Sequence, residues 1–559
     1  MQRVTCDVLV VGGGGAGLMA AYEASKHNVR VAVVNKGKVQ RTGVTIMAPG
    51  AIAAVDDRWK HEGDSTDLHI KDTIQGGCYI NDQEMVATVA AMAPALVLEL
   101  ERMGAIFQRN DAGDTYMLRI DGGHTYPRCP FLEDRTGKEM VKAMASALRK
   151  NHVPLYENIM ITRLLQSGGE ICGAAGIHLE TGESVLFECK SLILATGGAG
   201  SLYANTDNSI DLTGDGYALA LEAGAPLRDM EFVQFYPVGF LFPMALKGML
   251  AGLLYYCRLY NAKGERFMEK YDPERLELST RDRVSRAIVQ EVLEGRGSPR
   301  GGVYMDMTFQ EPGFIARMTP ALYATYRNIG IGPEKERIEI APTVHFFMGG
   351  LDVDHTWQSP LPGLFGAGEV VGGMHGGNRL SQNALAEILV SGVMAGKSAA
   401  ERAAKAKPRP VDPAESQVEQ NLLAGLLRVE KGLAPGEVKT RLKTIMWEHA
   451  GVFRTEESLK KALALVDALA KEPVRVPEKD LYMNRGLVEA LENRNMLATA
   501  RCIILSALER RESRAAHYRS DYPETDNKHH LKTILVAGRA GNLAVRTRPV
   551  ALTLIQPEV

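Results

Sequence analysis

Apolar and polar positions fall into short blocks from the start of the chain. Asp7 to Val11 is a β-branched apolar run; it meets Gly-Gly-Gly-Gly-Ala-Gly at 12–17, and an alanine-rich helical stretch follows to Ser25. A second apolar run, Val29 to Val34, ends in Asn35-Lys36. Strand, glycine turn, helix and strand within about 30 residues predict a dinucleotide site, a context that a lone Gly-x-Gly-x-x-Gly lacks. Gly12 permits the tight turn, Gly14 lets the backbone approach a pyrophosphate, and Gly17 lets helix and strand pack closely. The helix N-terminus, with Gly15 and Ala16 in its first turn, offers N–H groups and partial positive charge to phosphates. Asn35 stands where an acidic residue is expected and can still hydrogen-bond a ribose, without charge assistance.

Residues 80–110 and 137–151 carry helical patterns, and Val153 to Leu194 reads as several short strands ending in SLILATGGAG (191–200). A third glycine-rich stretch, PLPGLFGAGEVVGGMHGGNRLSQNALAEILVSG (360–392), begins like a strand and ends as a helix. Three glycine-rich strand ends so far apart imply one discontinuous nucleotide-binding domain with an inserted lobe between its parts. Pro408, Pro410 and Pro413 mark a linker. A helical, charged region follows from Ala414 to about Arg514, and the last 40 residues alternate strand-like runs with polar turns.

One apolar segment, Phe235 to Cys257, is about long enough to span a bilayer. It holds Pro237, Pro243 and Lys247, so a buried wall is expected, and no membrane span of the chain's own.

Composition narrows the function classes. Among 559 residues, 65 Lys and Arg balance 67 Asp and Glu, which argues against a broadly basic nucleic-acid surface. The seven cysteines lack any Cys-x-x-Cys spacing, so neither a cluster nor a structural metal is expected to be held by this chain alone. Dispersed cysteines and an N-terminus without a cleavable apolar leader point to a cytoplasmic protein.

Several motifs then occur in a fixed order: GGGGAG (12–17), GVTIMAPGAIAAV (43–55), ATGGAG (195–200), LTGDG (212–216), PLRDMEFVQF (226–235), GERF (264–267), RDRVSRAI (281–288), HFFMGG (345–350), GLFGAGEV (363–370), HGGNRL (375–380), ENR (492–494) and RESRAAHYRSD (511–521). With them the chain resembles the flavoprotein subunit of the succinate dehydrogenase/fumarate reductase family, whose relatives include L-aspartate oxidase and adenylylsulfate reductase. The resemblance implies an α/β fold. A Rossmann-like FAD-binding domain would occupy 1–234 and 346–407, an inserted α+β capping domain 235–345, a helical domain 414–520 and a C-terminal extension 521–559.

By the same resemblance FAD would be held by the first glycine loop, Asn35, Lys36, Thr42, Gly43, Thr45, Gly50, Thr196, Gly197, Asp215, Glu369, Arg379, Asn383, Ala384 and Leu385. Val44 stands where the membrane complexes carry the histidine of a covalent flavin link, so noncovalent FAD is expected. Arg281 matches the catalytic arginine that moves the substrate proton, against the plainer reading of an ion pair with Asp282 or Glu277. His345 and Arg379 match carboxylate-binding residues, and Tyr236 replaces a substrate-binding histidine. Met249 and Leu250 stand in place of a Thr-Glu pair, and Leu253 in place of an arginine.

The expected activity is hydride transfer between flavin and a C=C/CH–CH unit next to a carboxylate or acyl group, in a more apolar pocket. Alternatives are an ordinary fumarate reductase or succinate dehydrogenase, an aspartate-oxidase-type enzyme, adenylylsulfate-reductase-like chemistry, and a flavin electron relay without turnover. An iron–sulfur electron-transfer subunit is the expected partner, through which the chain would reach the inner face of a membrane.

Overall fold

A computed structural model describes residues 2–252, 254–539 and 542–557. After a short strand at Gln2–Thr5, which pairs with Ser184–Glu188 in a separate sheet, the chain runs along β1 (Val8–Val11), passes through the glycine run into α1 (Gly15–Ser25) and returns on β2 (Val31–Val34). Three helices follow before the next strand of this sheet, of which α2 (Gln83–Arg102) is the longest. It ends at Arg102, short of the expected 110, because Gly104 adopts a positive φ and turns the chain away. β3 (Leu155–Tyr156) and β4 (Ser191–Leu194) then complete four strands of the central sheet.

The chain next crosses into a second sheet with β5 (Val233–Phe240), β6 (Arg258–Tyr260), helix α3 (Arg281–Leu293) and β7 (Val303–Asp306). A short helix, α4 (Pro320–Asn328), precedes the return strand β8 (Ile338–Phe347). The fifth strand of the first sheet is β9 (Leu364–Gly366), followed by α5 (Asn383–Lys405). Helices at Pro413–Arg428, Pro435–His449 and Glu456–Leu469 lead to α6 (Arg485–Glu509), and two strands, Lys532–Arg539 and Asn542–Pro549, pair antiparallel near the C-terminus.

The central sheet has the order β9-β4-β1-β2-β3 and every pairing is parallel. Val8–Val11, Val31–Val34 and Ser191–Leu194 are buried throughout, as strands covered on both faces must be. A side chain at Gly17 would strike the carbonyl of Gly12, so the predicted close packing of helix on strand is present. Helix α5 closes on α1 through Gly392 and Gly396, whose neighbours are Ala16, Met19 and Ala20. The second sheet, β5-β8-β7-β6, is antiparallel and has its own core of Val238, Phe240, Leu259, Met305 and Ile340.

Phe235 to Cys257 is no helix. Its described residues form β5, short helical turns at Met244–Leu246 and Leu254–Tyr256 and the loop between them, lying against that second core. Among the described residues one helix, α2, is long and apolar enough to cross a membrane; it carries Pro94 and packs against α5.

Candidate active site

The carboxyl ends of β1, β2, β4 and β9 and the near face of the second sheet enclose a cleft of about 440 Å³. Ligands of open parallel sheets bind at such strand ends. Gly12, Gly14, Gly15 and Ala16 line it, as do Asn35, Lys36, Thr42, Gly43, Thr45, Gly50, Thr196, Gly197, Asp215, Glu369, Ala384 and Leu385. Gly17 and Asn383 do not. Gly17 faces the strand, and the Asn383 amide is used structurally, its Oδ1 2.9 Å from His69 Nε2 and its Nδ2 donating to Thr73 Oγ1.

Asn35 lines the cleft, but its side chain ties the glycine turn together. Its Oδ1 accepts from the Gly13 N–H at 2.8 Å while its Nδ2 donates to the Gly37 carbonyl and the Thr42 hydroxyl. Lys36 donates to Asp215 at 2.8 Å, Thr213 at 2.9 Å and Glu492 at 3.1 Å. Glu492 comes from α6, so the C-terminal helices brace this edge of the cleft. Burial works against the Lys36 charge, but the two carboxylates prevail and hold its pKa above the ordinary value.

The lining fits a dinucleotide. Helix α1 presents its unsatisfied first-turn N–H groups, of which Gly15 is already met by Thr45 Oγ1 at 3.2 Å. Helix α5 starts at the same cleft with Ala384 and Leu385, and its own N-terminus adds positive potential. The buried Thr196 hydroxyl has no partner among the described residues. Glu369 accepts from the Phe347 N–H at 3.0 Å, and burial pushes its carboxyl up to about 7.

Where the second sheet meets the cleft, two guanidinium groups converge. Arg281, the first residue of α3, donates to Gln234 Oε1 at 3.2 Å and to Ser381 Oγ at 2.8 Å. Arg379 donates to the same Gln234 oxygen at 3.1 Å. Both are buried, and among the described residues neither forms an ion pair: Asp282 is taken by Arg286 and Glu277 by Arg266. Burial, and then the nearby Arg281 charge, pull Arg379 down to about 9.

His345 places Nδ1 2.6 Å from Asp207 Oδ2. Burial outweighs the Asp207 carboxylate and holds its pKa below the ordinary histidine value. Tyr236 gives the site its ring and not its hydroxyl. The ring lies 4.8 Å from Arg281 Cζ and 5.3 Å from His345, while the hydroxyl accepts from Leu254 N–H and reaches the Gly252 carbonyl.

The remaining wall holds Met249, Leu250, Tyr255 and Tyr256, with Arg119 and Asp121 behind them. It is therefore aromatic and apolar with polar points, where the sequence predicted an apolar surface. Leu253, part of that expectation, lies outside the described residues. Gln234, Ser381, Asp207 and Asp121 were not foreseen. Gln234 sits two residues before Tyr236 inside the PLRDMEFVQF motif, which is a signal; Asp207 and Asp121 lie far in sequence from the arginines and histidine they serve.

The opposite lip is latched. Asp134 Oδ2 accepts the N–H groups of Ala321 and Leu322, at 2.9 and 3.1 Å, at the N-terminus of α4. Both α4 residues line the cleft. An N-terminal carboxylate cap is worth about 1 kcal/mol. Asp134→Ala should therefore lower kcat/KM about fivefold by loosening this lip while leaving bound flavin unchanged, which steady-state kinetics and the flavin-to-protein absorbance ratio would check.

Comparison with known proteins agrees with this geometry. Residues 7–385 match the FAD binding domain family and residues 439–559 the fumarate reductase flavoprotein C-terminal family. The chain is 41% identical to a fumarate reductase (CoM/CoB) subunit of Methanothermobacter marburgensis, covering 93% of this chain and 95% of that protein. It is 32% identical to the succinate dehydrogenase flavoprotein subunit of Rickettsia conorii over 99% and 96% of the two. Among solved structures, a variant of FrdA from E. coli quinol fumarate reductase superposes with a TM-score of 0.93 at 31% identity, covering 100% of this chain and 99% of that one. Adenylylsulfate reductase from Archaeoglobus fulgidus, at 21% identity and a TM-score of 0.81, shares the fold. The chain belongs to the fumarate reductase/succinate dehydrogenase flavoprotein family and is an FAD-dependent oxidoreductase acting on CH–CH groups.

Proposed function

We propose that this flavoprotein reduces a C=C unit conjugated to a carboxylate, and that the substituent on the far carbon lies against the tyrosine and methionine wall. The observation that carries the reading is the pair of buried guanidinium groups sharing one neutral amide oxygen. Two cations so placed are costly to bury unless an anion joins them. A substrate carboxylate supplies that anion, held by Arg379 and flanked by His345. His345 directs Nδ1 to Asp207, so an arriving carboxylate favours protonation of Nε2 and a second charged hydrogen bond.

When bound, FAD supplies hydride chemistry at the strand ends. The chain's own contribution is to orient the enoate, exclude water beneath the latched α4 and deliver a proton. Arg281 is the proton donor, facing the carbon that does not carry hydride. With valine at 44 the flavin is proposed to be noncovalent, and Lys36, Asp215 and Glu369 to frame its site. Electrons are proposed to come from a separate iron–sulfur subunit, since the cysteines lack cluster spacing and relatives are named as subunits. We place the protein in the cytoplasm, meeting a membrane only through such partners.

A second reading, fumarate itself, is favoured by Arg119. It is buried in the cleft wall with its Nε unpartnered, and would suit a second carboxylate. The experiment that separates the two is anaerobic reoxidation of chemically reduced protein, followed by flavin absorbance. Fast return with an enoate bearing an apolar or thioester arm, and slow return with fumarate, is the expected result. Fast return with fumarate and none with bulkier enoates would overturn the substituent assignment in favour of the second reading.

A further inference from the structure

Two buried cations without a counterion attract any carboxylate within reach, and the chain carries one of its own in the cleft. Arg119 and Asp121 both line the cleft, while Ile120 between them is half exposed, as alternation along an extended segment requires. The Asp121 side chain is therefore committed to the cleft that holds Arg281 and Arg379. Its charge favours the protonated form of both guanidinium groups. Among the described residues it nonetheless pairs with neither, and both of its oxygens are engaged elsewhere. A carboxylate tethered to the protein competes with a diffusing one at a high effective concentration. An unrestrained Asp121 would close the arginine site against substrate.

What restrains it is Gln382. Its Nε2 donates to Asp121 Oδ2, and the Gly122 N–H, 3.2 Å from Oδ1, holds the other oxygen. The amide is anchored on its far side, where Oε1 accepts from the Ala51 N–H at 2.5 Å. Gly50 leaves room for this contact: a methyl group added there would strike Oε1. Gln382 has a φ of +66° directly before α5, a conformation strained for most side chains, where glycine would make the same turn freely. Its neighbour Ser381 accepts from Arg281 at 2.8 Å, so the anchor of the arginine and the restraint on Asp121 are adjacent residues. An amide suits both tasks. It gives a donor to the carboxylate and an acceptor to Ala51 at once, where lysine would lack the acceptor and glutamate would repel Asp121.

Resting on the reading that Arg281 and Arg379 receive the substrate carboxylate, we propose that Gln382 is a positioning residue that holds Asp121 off the arginine pair and keeps the site open to an external anion. In the empty enzyme Asp121 then offsets part of the cost of two buried cations from a distance, without displacing the ligand.

The test compares Gln382→Gly, Gln382→Asn, Asp121→Asn and the double variant Gln382→Gly/Asp121→Asn as FAD-loaded proteins. The acceptor is whichever of crotonate and fumarate the wild type reduces. Glycine takes the turn freely and asparagine tolerates it, but neither reaches both partners, so the fold is kept and the restraint is lost. Each single change at 382 should raise KM about tenfold, the order that a charged hydrogen bond supplies. Saturating substrate displaces Asp121, so kcat should stay within about threefold of wild type. The same loss should appear in binding of the matching saturated acid, butanoate or succinate, to the oxidised protein, read from the flavin absorbance. The double variant should match Asp121→Asn alone within about threefold in KM, because without the carboxylate there is nothing to restrain. An unchanged KM in Gln382→Gly overturns the inference. So does a raised KM that persists in the double variant, since Gln382 would then act through the Ala51 loop. A wild type that binds neither acid and reduces neither acceptor overturns the inference together with the reading beneath it.

Discussion

Arg281→Gln is expected to lower the rate of flavin reoxidation by about a thousandfold, within the range that a positioned general acid contributes, while bound FAD is unchanged. The reasons lie in its surroundings. It opens α3 on the face packed against β5, so the helix itself fixes the guanidinium. Burial works against its charge, but Tyr255, Tyr236 and Asp121 together hold its pKa above the ordinary value. Glutamine preserves much of the volume and can still reach Gln234 and Ser381, but its neutral amide is far too weak an acid to protonate a carbon. Arg379→Gln should behave in the opposite sense. It removes a charged hydrogen bond to the carboxylate, worth about 1.5–3 kcal/mol, and so should raise KM roughly tenfold or more with a smaller loss in kcat. Removing Arg281 also lifts one cause of the depressed Arg379 pKa, so carboxylate binding should survive the first substitution. Measuring kcat and KM for both variants decides the assignment. An Arg281→Gln protein with a tenth or more of the wild-type rate would remove it from the chemistry.

The glycine-rich strand ends were readable because the required conformations are local. Gly12 has a φ of +119°, and Gly17 leaves no room for a side chain, and each can be inferred from a spacing of a few residues. The partnership of Arg281 and Arg379 was readable in part, because each sits in a family motif. What joins them was not: Gln234 lies 47 residues from one arginine and 145 from the other. Asn35 shows a further limit. Its type and position suit a ribose, but an amide with both donor and acceptor can as well close the turn, and only the placement of Gly13, Gly37 and Thr42 decides between them. Tyr236 likewise reads as a polar replacement for a histidine, while the fold turns its hydroxyl to the backbone of Gly252 and Leu254 and leaves a ring beneath the guanidinium.

The largest loss of stability is expected from a residue that touches no part of the cleft. Arg510 is fully buried at the end of α6, next to the RESRAAHYRSD segment. Its Nε lies 2.5 Å from Glu231 Oε1, its Nη1 3.2 Å from Glu512, and its two terminal nitrogens donate to the carbonyls of His530 and Lys532 at 2.8 Å. Four parts of the chain therefore meet on one guanidinium: the entry to β5, the end of α6, the segment after it and the C-terminal strands. Glu231 is itself fully buried, and burial raises its pKa in spite of the Arg510 charge. Arg510→Met keeps most of the volume but strands Glu231 without its cation, while Glu512 keeps Arg514, and leaves two carbonyls unmet. Breaking a buried pair on one side costs about 3–5 kcal/mol. The expected result is a marked fall in denaturation midpoint and in the yield of folded protein. Adding Glu231→Gln should recover part of the loss, because a neutral amide no longer demands the missing charge. If Arg510→Met alone unfolds at the wild-type midpoint, the network is not what ties the C-terminal segments to the cap.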